Sequence, residues 1–314
     1  MDQEQIAFMR KWIDKELGKS FLQDSKSPWP SLTFLIKKKN RDYWVIQDYW
    51  KLNSFTILDK TPLPLIPNLI NQLHGKTLFI KFNIHMGYNN IWIKEGDQQK
   101  AAFTTPLGQY EPMVMSFGLW NVPGTFTRMM NRLFWTVQNK YPEQIQIYMD
   151  NILIAMTNDV KRHQTIVREI LEIMKEESLF LKLSKCEFKK IHIEYLRLIL
   201  DKDTIQPDPT KVSGLQEWPR ILKTIKEVQS TLGLLNYHCA FVPGFSYIVK
   251  PLTQLLKKNH PFLWTNTCTN VLNQIINILT SEPVLTYPNP NKPFELEVNA
   301  LNFTMGAILF QRDS

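Results

Sequence analysis

Ile145-Gln146-Ile147-Tyr148-Met149-Asp150-Asn151-Ile152-Leu153-Ile154 is the stretch whose reading decides the fold. Two β-rich apolar runs flank an Asp-Asn pair, and that turn chemistry makes a hairpin. On its own the pair is equally a polar turn, so its neighbours carry the argument. Upstream, Phe126, Met129, Met130, Leu133 and Val137 recur at helical spacing and predict a helix over 123–138. Before it, Ile91–Glu95 and Ala101–Thr104 read as strands, and Leu78–Phe82 is a short apolar strand. Downstream, Ile166, Val167, Ile170, Leu171 and Met174 give residues 160–176 one apolar helical face. Short strands follow near Lys182–Leu183 and Glu194–Leu200. The order strand, helix, hairpin, helix, strand from 78 to 200 suits an α+β sheet covered by helices on one face.

Further out, residues 4–19 read as an amphipathic helix and Leu32–Lys37 as a strand. That strand runs into a basic turn, Lys37-Lys38-Lys39-Asn40-Arg41, and Tyr43–Ile46 returns. Pro62, Pro64 and Pro67 keep 61–67 extended. Pro207 and Pro209 mark a boundary. After it, Thr224-Ile225-Lys226-Glu227 fits a capping box opening a helix. Helices over 250–258 and 268–280 follow, then a proline-rich linker and strand-like Phe294–Val298 and Met305–Phe310.

The chain has 314 residues, 44% of them hydrophobic and 21% charged, which suits a real core and excludes a disordered chain. A formal net charge of +8 favours a polyanionic partner, with a soluble basic protein lacking one as the plain alternative. Cys186, Cys239 and Cys268 are far apart and not at metal-ligand spacing, so they read as buried small apolar residues in a reducing compartment. No stretch approaches the ~20 apolar residues of a membrane span, and no signal peptide is read at Met1-Asp2-Gln3-Glu4. The expectation is an intracellular protein, of cytoplasm or nucleus, not secreted.

Several blocks in fixed order make the reading specific. Phe82-Asn83-Ile84-His85-Met86-Gly87-Tyr88 is similar to the first palm motif of reverse transcriptases, and Tyr148-Met149-Asp150-Asn151 to their tyrosine-x-aspartate-aspartate hairpin. Phe117 to Phe126 resembles the block lining the template and nucleotide pocket, and Asp48 to Asn53 the fingers motif. Leu183 to Phe188 and Glu194 to Leu196 resemble the blocks leading to the primer grip. Trp218-Pro219, Leu232 to Tyr237 and Lys250 to Thr253 resemble thumb and connection, and Phe294 to Ala300 the first strand of a ribonuclease H domain. Together they resemble the reverse transcriptase region of a Gypsy-type LTR retrotransposon Pol polyprotein.

The resemblance implies a right-hand polymerase fold of α+β class. It implies an N-terminal helix over 1–27, fingers and palm over 28–205, thumb and connection over 206–258, and a linker with a truncated ribonuclease H-like start over 259–314. It implies RNA/DNA template-primer and dNTPs as partners, Mg2+ or Mn2+ as cofactor if the site is active and none otherwise, and no membrane, and it leaves the oligomeric state open. In the family three palm aspartates hold two divalent cations about 3.5–4 Å apart. They fall here on Asn83, Asp150 and Asn151, so Asp150 alone remains as a charged metal ligand. Lys37, Lys38 and Lys39 are expected to approach the incoming triphosphate, and Tyr88 and Phe117 to line its pocket. The family's fingers arginine falls on Trp44, its primer-grip glycine and histidine on Arg197 and Leu198, and the first ribonuclease H aspartate on Asn299. Aspartate→asparagine at 83, 151 and 299, arginine→tryptophan at 44 and 50, and glycine→arginine at 197 are each one-base transitions, the pattern of a decaying copy. Three expectations stand side by side: a polymerase severely weakened or inactive, a non-catalytic nucleic-acid binder, and an expressed relic without function.

Overall fold

The computed structural model describes residues 1–38, 43–157, 159–258, 260–281, 283–288, 292–301 and 304–311. Lys39, one of the three expected phosphate-facing lysines, lies outside the described residues. The chain divides into two compact units, each discontinuous: 1–65 with 80–154 and 159–188, and 66–79 with 155–158 and 189–314.

In the first unit the helix Gln3–Gly18 opens on a full capping box, with Asp2 and Gln5 each accepting from the other's backbone N–H. Its face Met9, Trp12, Ile13 and Leu17 packs on a five-stranded sheet through Leu22, Leu35, Val45, Phe103 and Tyr110. The strand order is Leu22–Asp24, Gly108–Pro112, Phe103–Thr105, Ser31–Lys37, Tyr43–Gln47. The alternating residues of Ser31–Lys37 therefore point away from that helix, and Leu32, Phe34 and Ile36 are exposed. Trp44, paired with Ile36 across the strands, is exposed as well.

The second sheet runs Ile145–Tyr148, Asn151–Met156, Leu78–Asn83, Glu187–Lys190. Its hairpin is tight: Tyr148 pairs with Asn151, leaving Met149 and Asp150 as the turn. Ile152 to Met156 are all buried, so this strand is covered on both faces. The helix expected over 160–176 spans Val160–Glu176, capped by the Asp159 side chain.

Several expectations are corrected. The helix over 123–138 is two, Val122–Leu133 and Trp135–Lys140, parted at Phe134. Ile91–Glu95 makes only a Trp92–Val114 bridge before Gly96 turns the chain at φ +85°. Lys182–Leu183 leads into a 3-10 turn, Leu183–Lys185, and the strand is Glu187–Lys190. Cys268 is buried, Cys186 is half-buried and Cys239 is exposed.

In the second unit Ile193–Tyr195, Leu198–Leu200, Thr204–Pro207 and Leu285–Thr286 form an antiparallel sheet. The helix Ile225–Tyr237 starts as expected, Thr224 Oγ1 accepting from Glu227 N–H, but the glutamate reaches back to the Lys223 amide. Glu295–Leu301 and Thr304–Phe310 make a separate hairpin in which Asn299 stands opposite Gly306. No helix among the described residues is long and apolar enough to cross a membrane.

Candidate palm site and nucleotide pocket

The end of the Leu78–Asn83 strand and the turn at Met149–Asp150 meet. Ile84 N–H donates to the Asp150 carbonyl at 2.8 Å, and Lys182 N–H donates to the Asn83 carbonyl at 2.8 Å. These backbone bonds set Asn83, Asp150 and Asn151 side by side. Asn83, 6% exposed, donates through Nδ2 to Asp150 Oδ2 at 2.8 Å and to Asn151 Oδ1 at 3.2 Å. Asn151 Nδ2 donates to Asp150 Oδ1 at 3.1 Å. The network fixes the amide orientations: with either amide reversed, oxygen would face oxygen.

A pair of hard divalent cations requires several anionic oxygens with free lone pairs. The three side chains supply one carboxylate, both oxygens of which already accept amide N–H bonds. Among the described residues no group of three or more His, Cys, Asp or Glu side chains stands close enough to hold a metal. The donor set does not fit two divalent cations.

Beside this cluster Tyr88 meets Phe117 edge-on with ring centres 4.9 Å apart, and Phe126 at 5.4 Å. Burial raises the Tyr88 phenol above its ordinary value, and the Asp150 charge adds to the shift. Gly87 is required here: a Cβ would stand 2.9 Å from the Phe126 ring. So Asn83, Asp150, Asn151, Tyr88 and Phe117 form one constellation. Lys37 ends the Ser31–Lys37 strand and Lys38 follows it, its Nζ 5.9 Å from the Trp44 ring centre. Among the described contacts none links either lysine to the palm cluster.

Asn53 and Asn121 hold the pocket wall, a role the residue pattern did not disclose. Asn53 donates to the Gly118 carbonyl at 2.8 Å and accepts from Trp120 N–H at 2.9 Å. Asn121 donates to the Ile57 carbonyl at 2.8 Å and accepts from Asp59 N–H at 2.9 Å. Gly118 sits at φ +102°, with the Tyr49 ring 3.3 Å from where its Cβ would be. Asp59 also accepts from Thr61, which together with Arg128 holds its carboxyl below the usual range. A cleft of about 740 Å³ beside the helix Trp50–Phe55 is lined by Trp29, Trp50, Phe55, Lys51 and Lys100. Trp50 is 85% exposed, so its indole disturbs no core.

The family described as reverse transcriptase (RNA-dependent DNA polymerase) matches residues 36–200, and an RNase H-like domain found in reverse transcriptase matches 264–314. The Retrovirus-related Pol polyprotein from transposon 297 of Drosophila melanogaster is 32% identical over 310 residues, covering 95% of this chain and 28% of that protein. The corresponding polyprotein from transposon gypsy is 30% identical, covering 97% and 31%. The Transposon Tf2-7 polyprotein of Schizosaccharomyces pombe is 30% identical, covering 97% and 22%. The chain thus spans less than a third of the length of these relatives. Foamy viral protease-reverse transcriptase in complex with dsDNA superposes with a TM-score of 0.83 at 21% identity, covering 99% of this chain and 64% of that one. The same protein in complex with RNA/DNA hybrid gives 0.80 at 21%, covering 99% and 44%. The fold is therefore the α+β right-hand polymerase fold. By motif order, matched residues and fold, the chain belongs to the reverse transcriptase family, and it is similar to retrotransposon Pol polyproteins, that of transposon gypsy among them.

Proposed function

We propose that this chain is a retrotransposon polymerase core that binds an RNA/DNA template-primer but has lost most or all of its nucleotidyl transfer. The observation that carries this reading is the amide-capped carboxylate of Asp150. Three aspartates would set a formal charge of −3 against two dications; Asn83, Asp150 and Asn151 set −1. Removing one preorganised electrostatic partner of a transition state commonly costs ~3 kcal/mol, roughly a hundredfold to a thousandfold in rate. Two losses at one site cost more. Mg2+ or Mn2+ would be the cofactor of a restored site, and dNTPs its substrates.

Binding of nucleic acid rests on different residues. The net charge of +8 favours a polyanion. Trp29, Trp50 and Phe55, 73%, 85% and 80% exposed, stand beside Lys51 and Lys100 in one cleft. Exposed aromatics interleaved with lysines suit a nucleic-acid strand. The polymerase fold is shared with proteins solved on dsDNA and on RNA/DNA hybrid.

Primer extension on an RNA template, in Mg2+ and then Mn2+, tests the reading. The wild type runs beside Asn83→Asp/Asn151→Asp. Extension by the double variant alone is expected, with both proteins binding the hybrid and losing affinity steeply as salt rises. Equal rates for the two would overturn the loss of activity. Affinity for the hybrid that does not respond to salt would overturn the binding.

A further inference from the structure

The two asparagines do more than remove charge. Each turns an N–H toward the carboxylate, and the positive end of that dipole has the sign of a cation. Admitting a divalent ion to Asp150 requires both amides to swing away. Asn83 Nδ2 then gives up two acceptors at a residue that is 6% exposed, where water replaces them poorly. Its backbone holds it in place, since the Asn83 carbonyl accepts from Lys182 N–H and the Asn83 N–H faces Cys186 Sγ at 3.5 Å. On the other side Asp150 is tied to Ile84 through its carbonyl. Three aspartates in the same positions would bring up to six carboxylate oxygens together and repel one another unless cations were bound. The amides convert that arrangement into one that is satisfied internally.

We infer that Asn83, Asp150 and Asn151 form a closed hydrogen-bonded staple that excludes divalent cations and fastens the hairpin turn to the Leu78–Asn83 strand. This rests on the reading of these positions as the family's palm site. The chain consequently folds and binds nucleic acid without Mg2+, and the staple occupies the place of the ion as the local cross-link.

The test is a Mn2+ titration of the whole chain followed by electron paramagnetic resonance, beside thermal melts in EDTA, MgCl2 and MnCl2 at matched ionic strength. The wild type is expected to bind no Mn2+ in the low-millimolar range, and its Tm to move by less than about 1 °C on adding either ion. Asn83→Asp/Asn151→Asp is expected to melt lower in EDTA and to be raised progressively by Mn2+ as it binds. A variant that folds only with Mn2+ supports the staple equally. Stoichiometric Mn2+ binding by the wild type, abolished in Asp150→Asn, would overturn the inference. So would a double variant that melts no lower than the wild type in EDTA. Mn2+ binding without primer extension would sink the staple and leave the proposed function standing. Loss of hybrid binding with no Mn2+ bound would do the reverse.

Discussion

At the scale of single residues, Asn53 shows how the pocket depends on an amide far from it in sequence. Its two hydrogen bonds, to Gly118 and Trp120, fix the loop that presents Phe117 to Tyr88. A net contribution of about 0.5–1.5 kcal/mol per bond makes Asn53→Ala cost roughly 1–3 kcal/mol. Thermal melts are expected to show a Tm lower by about 2–6 °C, and a Tm within a degree of wild type would mean that water replaces both bonds. Nothing local in the sequence ties residue 53 to residue 118; 65 positions separate them. By contrast the palm positions were legible, because a strand end and a hairpin tip carry their polar residues in a recognisable order. What the residues alone did not disclose was the direction of the amides, which depends on three side chains meeting in space.

At the scale of elements, the parts that could be read in advance are those whose cause is local. Val160–Glu176 carries its own cap at Asp159 and its own apolar face. The strands failed more often, since a strand is completed by a distant partner. Ile91–Glu95 has the right composition but gains one bridge to Val114, and Glu187–Lys190, with little apolar signal, gains a place beside Leu78–Asn83. The hairpin Ile193–Tyr195 to Leu198–Leu200 turns through Leu196 and Arg197 at φ +50° and +62°. Non-glycine residues in that region cost roughly 1–2 kcal/mol each. The Arg197 guanidinium lies 5.6 Å from the Tyr237 ring centre, an exposed contact worth about 0.5–1 kcal/mol. Strain exceeds the contact by about 0.5–1.5 kcal/mol, so Arg197→Gly is expected to raise the Tm by about 1–3 °C. A lower Tm in the same melt would show that the contact with Tyr237 outweighs the strain.

At the scale of the whole molecule, buried phenols contribute stability that is lost at high pH. Burial pushes Tyr49 and Tyr287 well above the ordinary tyrosine value, as it does Tyr88. A folded-state value above the unfolded one gives stability that is complete below pH ~10 and is lost as pH rises past it. Absorbance at 295 nm is therefore expected to show fewer than ten tyrosines ionising near pH 10, the rest appearing only with unfolding, at a pH that urea lowers. Ionisation of all ten in one step near pH 10, before any unfolding, would contradict this. The five-stranded sheet ends on Tyr43–Gln47, an open edge, and beside it Leu32, Phe34, Ile36 and Trp44 face outward. Sheet edges are usually kept apart by charge, and here an indole stands on the edge strand. Pairing of two copies along that edge as the protein is concentrated is the expected consequence, seen as light scattering that rises with concentration and falls in Trp44→Lys.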